Sequence, residues 1–424
     1  MLIAGAAHIP LPIPTGIAMA GYARRTETAR GFHDTLAVRA LIVSASVQQV
    51  CVLVADTLCV DAHMTANVRS QVSSATGVAP DAIMVAATHT HSGPGGAARF
   101  PIDMGAESYM GAYNPDLAAL VTQTFVTAAV TALDRQSAVR LEYGSGIVTG
   151  VGANRVHDGG PYDPLIPYLR LIDLNGNNLI YLLSYACHPT VLGPDNLLYS
   201  GDLTGMACAA LEQHGSRNCI AISLTGAAGN ISTRFTRVAP TFDEAERLAR
   251  RLADAVIGAE SRQDESDTVA AIRVPVTLAL KPPGDRAAYE MRLAQVTERR
   301  KAAASLTSGE RRLIESEIES LKAALDTSTA RPPALQTEVQ VLRIGSTRIA
   351  AFPGELYVEY GLAMREQFAP LPVMVAGYAN DYIGYVPTSA APDSYETTMA
   401  VVAPDSGSRL IQAARRAISQ SDIH

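Results

Sequence analysis

The chain contains no tryptophan, and aromatic residues make up only 5% of it. That scarcity leaves no aromatic-rich surface on which bases or lipid headgroups would stack. Basic residues are in deficit as well. Lys and Arg number 34 against 41 Asp and Glu, giving a net charge of −7 and a pI near 5.7. No Lys/Arg run with interleaved aromatics occurs, so a nucleic-acid partner is not expected. Cysteine is limited to Cys51, Cys59, Cys187, Cys208 and Cys219. The odd, scattered set without a C-x-x-C pair argues against a disulfide framework. Most lie in apolar runs, where a thiol acts as a small core residue; Cys187 stands out for adjoining His188. No apolar stretch reads as long enough to span a membrane, so no stable membrane insertion is expected. The N-terminal MLIAGAAHIPLPIPTG lacks the charged region and cleavage pattern of a signal peptide, which leads to the expectation of a cytoplasmic protein.

What is present suffices for a large core: 424 residues, 48% of them hydrophobic. Apolar runs rich in Val, Leu and Ala at 36–46, 50–55 and 81–87 read as strands, with helical composition at 62–76 between them. Further strands are read at 139–144, 146–151, 168–173, 178–187, 221–224, 338–344, 348–352 and 373–377. Helices are read from 114, at 200–214, at 242–260 and at 356–368. This alternation predicts an α/β fold, a mixed sheet core flanked by helices. Without repeats or a clear linker, residues 1–424 read as a single domain. Residues 285–326 differ, being rich in Ala, Glu, Arg, Leu and Lys. They are expected to form an inserted charged helical hairpin, 285–304 and 308–326, with Thr307 and Glu310 as a capping box. A solvated surface arm is the plainer description of that hairpin, and a role in a homo-oligomer is open.

The stretch around which the chain is organised is MVAATHTHSGPGG, 84–96. If strand geometry holds through Thr90, His89 and His91 point to one face. The glycines let backbone approach whatever sits there. A metal pair and a hydrogen-bonded pair in a turn both fit this pattern. Similar strand ends carry His188, Glu355 and Tyr382, and Ser232 lies in a Gly-rich turn. Two imidazoles and a carboxylate suit a catalytic zinc with an open position.

Together with MAGYA (19–23), GFH (31–33), GANR (152–155), CHPT (187–190), SGD (200–202), GAAGNIS (226–232), PGE (353–355), NDYIGYVPT (380–388) and YE (395–396), these stretches resemble the neutral/alkaline ceramidase family, N-terminal catalytic domain. The resemblance implies a zinc-dependent hydrolase acting on linear amides. It implies Zn²⁺ held by His89, His188, Glu355 and Tyr382. It implies a proton-donor or oxyanion role for His91, the essential serine at Ser232, and contacts to a small-molecule N-acyl amide from Gly21, His33, Arg155 and Tyr395. A zinc esterase or lactonase, and a silent ligand-binding homologue, are the competing functions. Three features depart from the family. Gly229-Asn230-Ile231-Ser232-Thr233-Arg234 stands where the pattern reads G-D-V-S-P-N; the chain stops without the C-terminal domain of long ceramidases; and the 285–326 hairpin has no counterpart. Acidic charge, absent tryptophan and the charged insertion lead to the expectation of a smaller or more soluble substrate than ceramide, with the hairpin as a lid over the pocket or as a dimerisation arm.

Overall fold

The computed structural model describes residues 1–102, 107–282, 284–302, 308–326 and 332–421. The first sheet has nine strands. These are β1 (Leu2–Pro10), β2 (Ala37–Ala45), β3 (Gln48–Ala55), β4 (Ile83–Ala87), β5 (Ser137–Ile147), β6 (Leu165–Asp173), β7 (Asn178–Tyr185), β8 (Ile220–Thr225) and β9 (Ser261–Asp264). Their order is β8-β7-β6-β5-β1-β2-β3-β4, with β9 beside β5. Pairing is antiparallel except at the two ends, where β8 runs parallel to β7 and β4 to β3. The successive strands β2, β3 and β4 are near-continuous runs of buried Val, Leu, Ile and Ala, as expected of strands covered on both faces. A second sheet, β10 (Val269–Ala279), β11 (Ala334–Ile344), β12 (Thr347–Ala351) and β13 (Val373–Ala376), packs on the first. There β13 meets β6, β7 and β8, and β10 meets β2 and β3.

Helices α1 (Ala62–Thr76), α2 (Pro115–Asp134), α3 (Asp202–His214) and α4 (Phe242–Ile257) flank the first sheet. Local chemistry fixes where they begin. Asp61 accepts from the Met64 N–H at 2.7 Å, and Asn114 accepts from Asp116 and Leu117 before Pro115. By length and composition α2 is sufficient to cross a bilayer, which corrects the expectation that no such stretch exists. In the fold it lies against β1, β2 and β3, with Val121, Phe125 and Ala129 buried. All five cysteines are buried and free.

The insertion forms α5 (Arg286–Ala302) and α6 (Ser308–Asp326), packed on each other through Val296, Ile314, Ile318 and Leu321. Thr307, the expected cap, lies outside the described residues. Several elements escaped the sequence patterns, β9 and β10 among them. The N-terminal β1 has an alternation blurred by Gly5 and small residues, and α9 (Ser406–Ser421) closes the second sheet behind α7 (Val358–Phe368) and the short α8 (Tyr395–Met399). The strands expected at 139–144 and 146–151 are one strand that ends at Ile147, because Gly144 and Gly146 continue the ladder against β6, and 148–151 lie outside it.

The two sheets are joined where β4 ends. After β13 the chain runs along the edge of β4. The Asn380 N–H donates to Val85 O at 2.7 Å, and the Asn380 side chain accepts from Val85 N–H at 3.0 Å. Asp381 accepts from Ala62 N–H and from Thr337, so it ties the same turn to α1 and β11. The Asn-Asp-Tyr sequence therefore builds this joint before it presents Tyr382.

Candidate metal centre and adjoining cavities

His89 does not sit on a strand. β4 stops at Ala87, and His89 adopts φ +63°. Tyr378 and Asn380, on the chain that runs beside it, are also left-handed at +54° and +66°. Such backbone costs of order 1–3 kcal/mol per residue and persists only where surroundings enforce it. The two histidines of T-H-T-H thus converge through a left-handed turn, not through strand alternation. Tyr378 stacks on the His89 ring with centroids 3.9 Å apart.

Two imidazoles have spent their N–H groups on main-chain oxygens. His89 Nδ1 donates to Leu58 O at 2.7 Å; His188 Nδ1 donates to Ala228 O at 2.7 Å and Ile231 O at 3.1 Å. Their Nε2 atoms then carry lone pairs, and both face Glu355. His188 Nε2 stands 2.8 Å and His89 Nε2 3.6 Å from Glu355 Oε2. Tyr382 donates its hydroxyl to Glu355 Oε1 at 2.5 Å. Burial lowers the His89 pKa to about 3 against the pull of Glu355, and burial, with Arg155 nearby, takes His188 well below the ordinary range. Burial and Glu355 raise the Tyr382 hydroxyl well above its usual value. Two neutral acceptors facing a carboxylate acceptor are repulsive without a shared cation. This donor set therefore fits a divalent metal, and the carbonyl partners of both rings are the outer contacts that orient metal-binding histidines.

His91 joins the cluster. Its Nε2 is 3.3 Å from His89 Nε2, and the nitrogens of His89, His91 and His188 all lie within 4.8 Å of one another. It differs in one respect, since its buried Nδ1 has no hydrogen-bond partner among the described residues. Gly21 presses against this ring. It adopts φ +103°, and a Cβ there would stand 2.4 Å from His91 Cγ.

Ser232 is buried and forms a parallel bridge with His188, so one backbone contact registers serine against ligand. Gly229 permits this, because a Cβ on it would stand 2.3 Å from Glu355 O. Asn230, at a departing motif position, clamps the start of α7 by accepting from Val358 N–H at 2.8 Å and donating to Glu359. A cavity of about 60 Å³ brings Ser232 together with Gly21, His91, Arg155 and Tyr395. A smaller one of about 30 Å³ joins Gly21, His89, His91, Glu355, Tyr382 and Tyr395. Burial, then Glu319 and Glu355, push the Tyr395 hydroxyl up. His33 is not brought to either cavity: it lies flat on Phe242 and contacts Asp34 at 3.0 Å.

Sequence reasoning passed over Glu396 and Glu319. Glu396 meets Arg155 Nε at 2.7 Å in a buried pair, linking GANR to YE. Opposite charges in two otherwise uncharged motifs were the available signal. Glu319 comes from α6, where one face also places Ser316 in the 60 Å³ cavity. Beyond it, α5 and α6 wall a chamber of about 640 Å³ whose inner side is Arg155, Tyr395 and Glu396. The Arg24–Glu315 pair, 3.1 Å, fastens α6 to the loop after Gly21. One face of the hairpin thus lines both the 60 Å³ cavity, through Ser316 and Glu319, and the larger chamber.

Comparison with known proteins agrees with this architecture. The N-terminal neutral/alkaline non-lysosomal ceramidase family matches residues 12–241, more than half the chain. A curated neutral ceramidase of Pseudomonas aeruginosa is 30% identical over 172 residues, which cover 35% of this chain and 24% of that relative's length. The crystal structure of neutral ceramidase from Pseudomonas aeruginosa superimposes with a TM-score of 0.77 at 20% identity, covering 99% of this chain and 74% of the other. A ceramidase solved in complex with C2 gives the same score and identity over 75% of its length. At that identity the structural likeness shows the fold.

Proposed function

The chain belongs to the neutral/alkaline non-lysosomal ceramidase family, and from that premise we propose that it is a zinc-dependent hydrolase cleaving the amide bond of an N-acyl compound. The observation that carries the reading is the pair of imidazoles, His89 and His188, whose bare Nε2 atoms face Glu355. His89, His188, Glu355 and Tyr382 would hold the metal. Zinc bound by such a set acts as a Lewis acid toward the scissile carbonyl.

The remaining steps belong to the chain's own groups. His91, lacking a fixed partner at Nδ1, is placed to exchange a proton with the leaving amine, without which amide cleavage stalls. Tyr395, kept protonated by burial, donates toward the oxyanion. Arg155, held by Glu396 and Tyr385, fixes that wall of the cavity. Ser232 attacks the carbonyl or positions it. The substrate is smaller or more soluble than membrane ceramide, a reading supported by the hairpin that walls the 640 Å³ chamber.

The test is a screen of the zinc-loaded protein across N-acyl amides, esters and lactones. Turnover of amides at the highest kcat/KM supports the reading, and esters or lactones ahead of every amide would replace it with the esterase reading. Ser232→Ala separates the two roles of the serine. Loss of activity to background, with no trappable acyl-enzyme, marks the nucleophile. A persisting rate marks a positioning group, and a near-normal rate removes Ser232 from the chemistry. Gly21→Ala should displace the His91 ring and lower kcat by about 10²-fold, since misplacement near 1 Å has that cost. Kinetics with metal analysis on the same preparation checks this, because the zinc content should not change.

A further inference from the structure

Arg234 follows Ser232 by two residues in the Gly-rich turn. Arg234 and Arg237 line the same 60 Å³ cavity as His91, Ser232 and Tyr395. Arg155 is there too, but its guanidinium is committed to Glu396, Gly229 O and Tyr385. Arg237 is not committed in this way. Its side-chain hydrogen bonds run from Nη1 to Thr190 O and Val191 O, and its Nε and Nη2 donors meet no protein acceptor among the described residues. No carboxylate among the described residues lies within ion-pair distance of it. A chain of net charge −7 thus gathers three guanidinium groups around a cavity to which the described residues contribute one carboxylate, Glu319. A guanidinium with two open, forked donors is best met by a planar oxyanion.

We propose that this cavity receives a carboxylate carried on the amine component of the substrate, held by Arg237 with Arg234 beside it, which makes the substrates N-acyl amino acids. The inference rests on the hydrolase reading above. In an N-acyl α-amino acid one carbon separates the carboxylate from the amide nitrogen. A carboxylate seated at Arg237 therefore keeps the scissile bond in the cavity that His91 and Ser232 share.

N-dodecanoylglycine and N-dodecanoylglycinamide have the same shape and differ in charge. On the zinc-loaded protein the acid should have a kcat/KM at least about tenfold higher, the scale of a hydrogen bond to a charged group. Arg237→Gln combined with Arg234→Gln should bring the ratio of the two substrates close to one. Arg237→Lys, which keeps the charge and loses the fork, should leave an intermediate ratio and serves where the double variant does not fold. Parity between the substrates, preference for the glycinamide, or a ratio unchanged in a folded variant would overturn the proposal. If neither compound is cleaved, the hydrolase reading fails, and calorimetric binding of the two compounds then decides the carboxylate alone. Tighter binding of the acid supports it, and equal binding overturns it.

Discussion

His188→Ala and Glu355→Ala should each leave the purified protein with little zinc and no amide hydrolysis above background. The expectation follows from how completely the two residues are committed. Glu355 is faced by both bare imidazole nitrogens and by the Tyr382 hydroxyl, so its removal takes away the group on which three others converge. His188 is fully buried, and the alanine variant loses the ring together with its Nδ1 hydrogen bonds to Ala228 O and Ile231 O. Loss of an outer hydrogen-bond partner alone typically costs about 10–100-fold in metal affinity. Loss of a donor atom should cost more. Atomic absorption on protein dialysed against metal-free buffer reads the zinc, and circular dichroism shows whether the fold is kept. Full zinc occupancy in both variants would reject the donor set.

His91→Ala is expected to behave in the opposite way, retaining zinc while losing about 10²–10⁴-fold in rate, the usual contribution of a positioned acid or base. Distance alone does not separate this histidine from its neighbours, because all three imidazoles lie within 4.8 Å. The distinction lies in the hydrogen bonds. His89 and His188 are each locked in one tautomer by main-chain oxygens, whereas nothing among the described residues fixes His91 at Nδ1. A ligand benefits from a locked tautomer, and a proton carrier requires a free one. Zinc lost from His91→Ala but kept by His89→Ala would mean that the two roles are exchanged.

The T-H-T-H stretch shows what the sequence made legible and where it stopped. That its histidines share a pocket was readable from residue type and order. The means was not, since a non-glycine residue at φ +63° leaves no trace in apolar periodicity. The helix over 242–257 was readable from its amphipathic spacing, and the one over 62–76 from its composition. The strand Leu2–Pro10 was not, because its burial is set by a neighbouring strand on each side, not by its own alternation. The same holds for the site. His188 lies beside Pro189, Glu355 beside Gly354 and Tyr382 beside Asp381, and local sequence signals such turns; His89, between two threonines, was signalled by the strand-end pattern alone. Glu319 and Arg237 lie more than a hundred residues from His91 in the chain, and only the fold brings them to one cavity.

The joint between the two sheets carries one further consequence. His89 follows β4 of the first sheet, while Glu355 and Tyr382 follow β12 and β13 of the second. An ion shared by these three is bound only when the sheets are docked, so metal affinity and docking free energy are linked quantities. At a free concentration one thousand times the dissociation constant, that linkage adds about 4 kcal/mol to the docked state. Chelation and heating would then act on the same joint, opening the Asn380–Val85 seam first and leaving the long antiparallel core of the first sheet to unfold later.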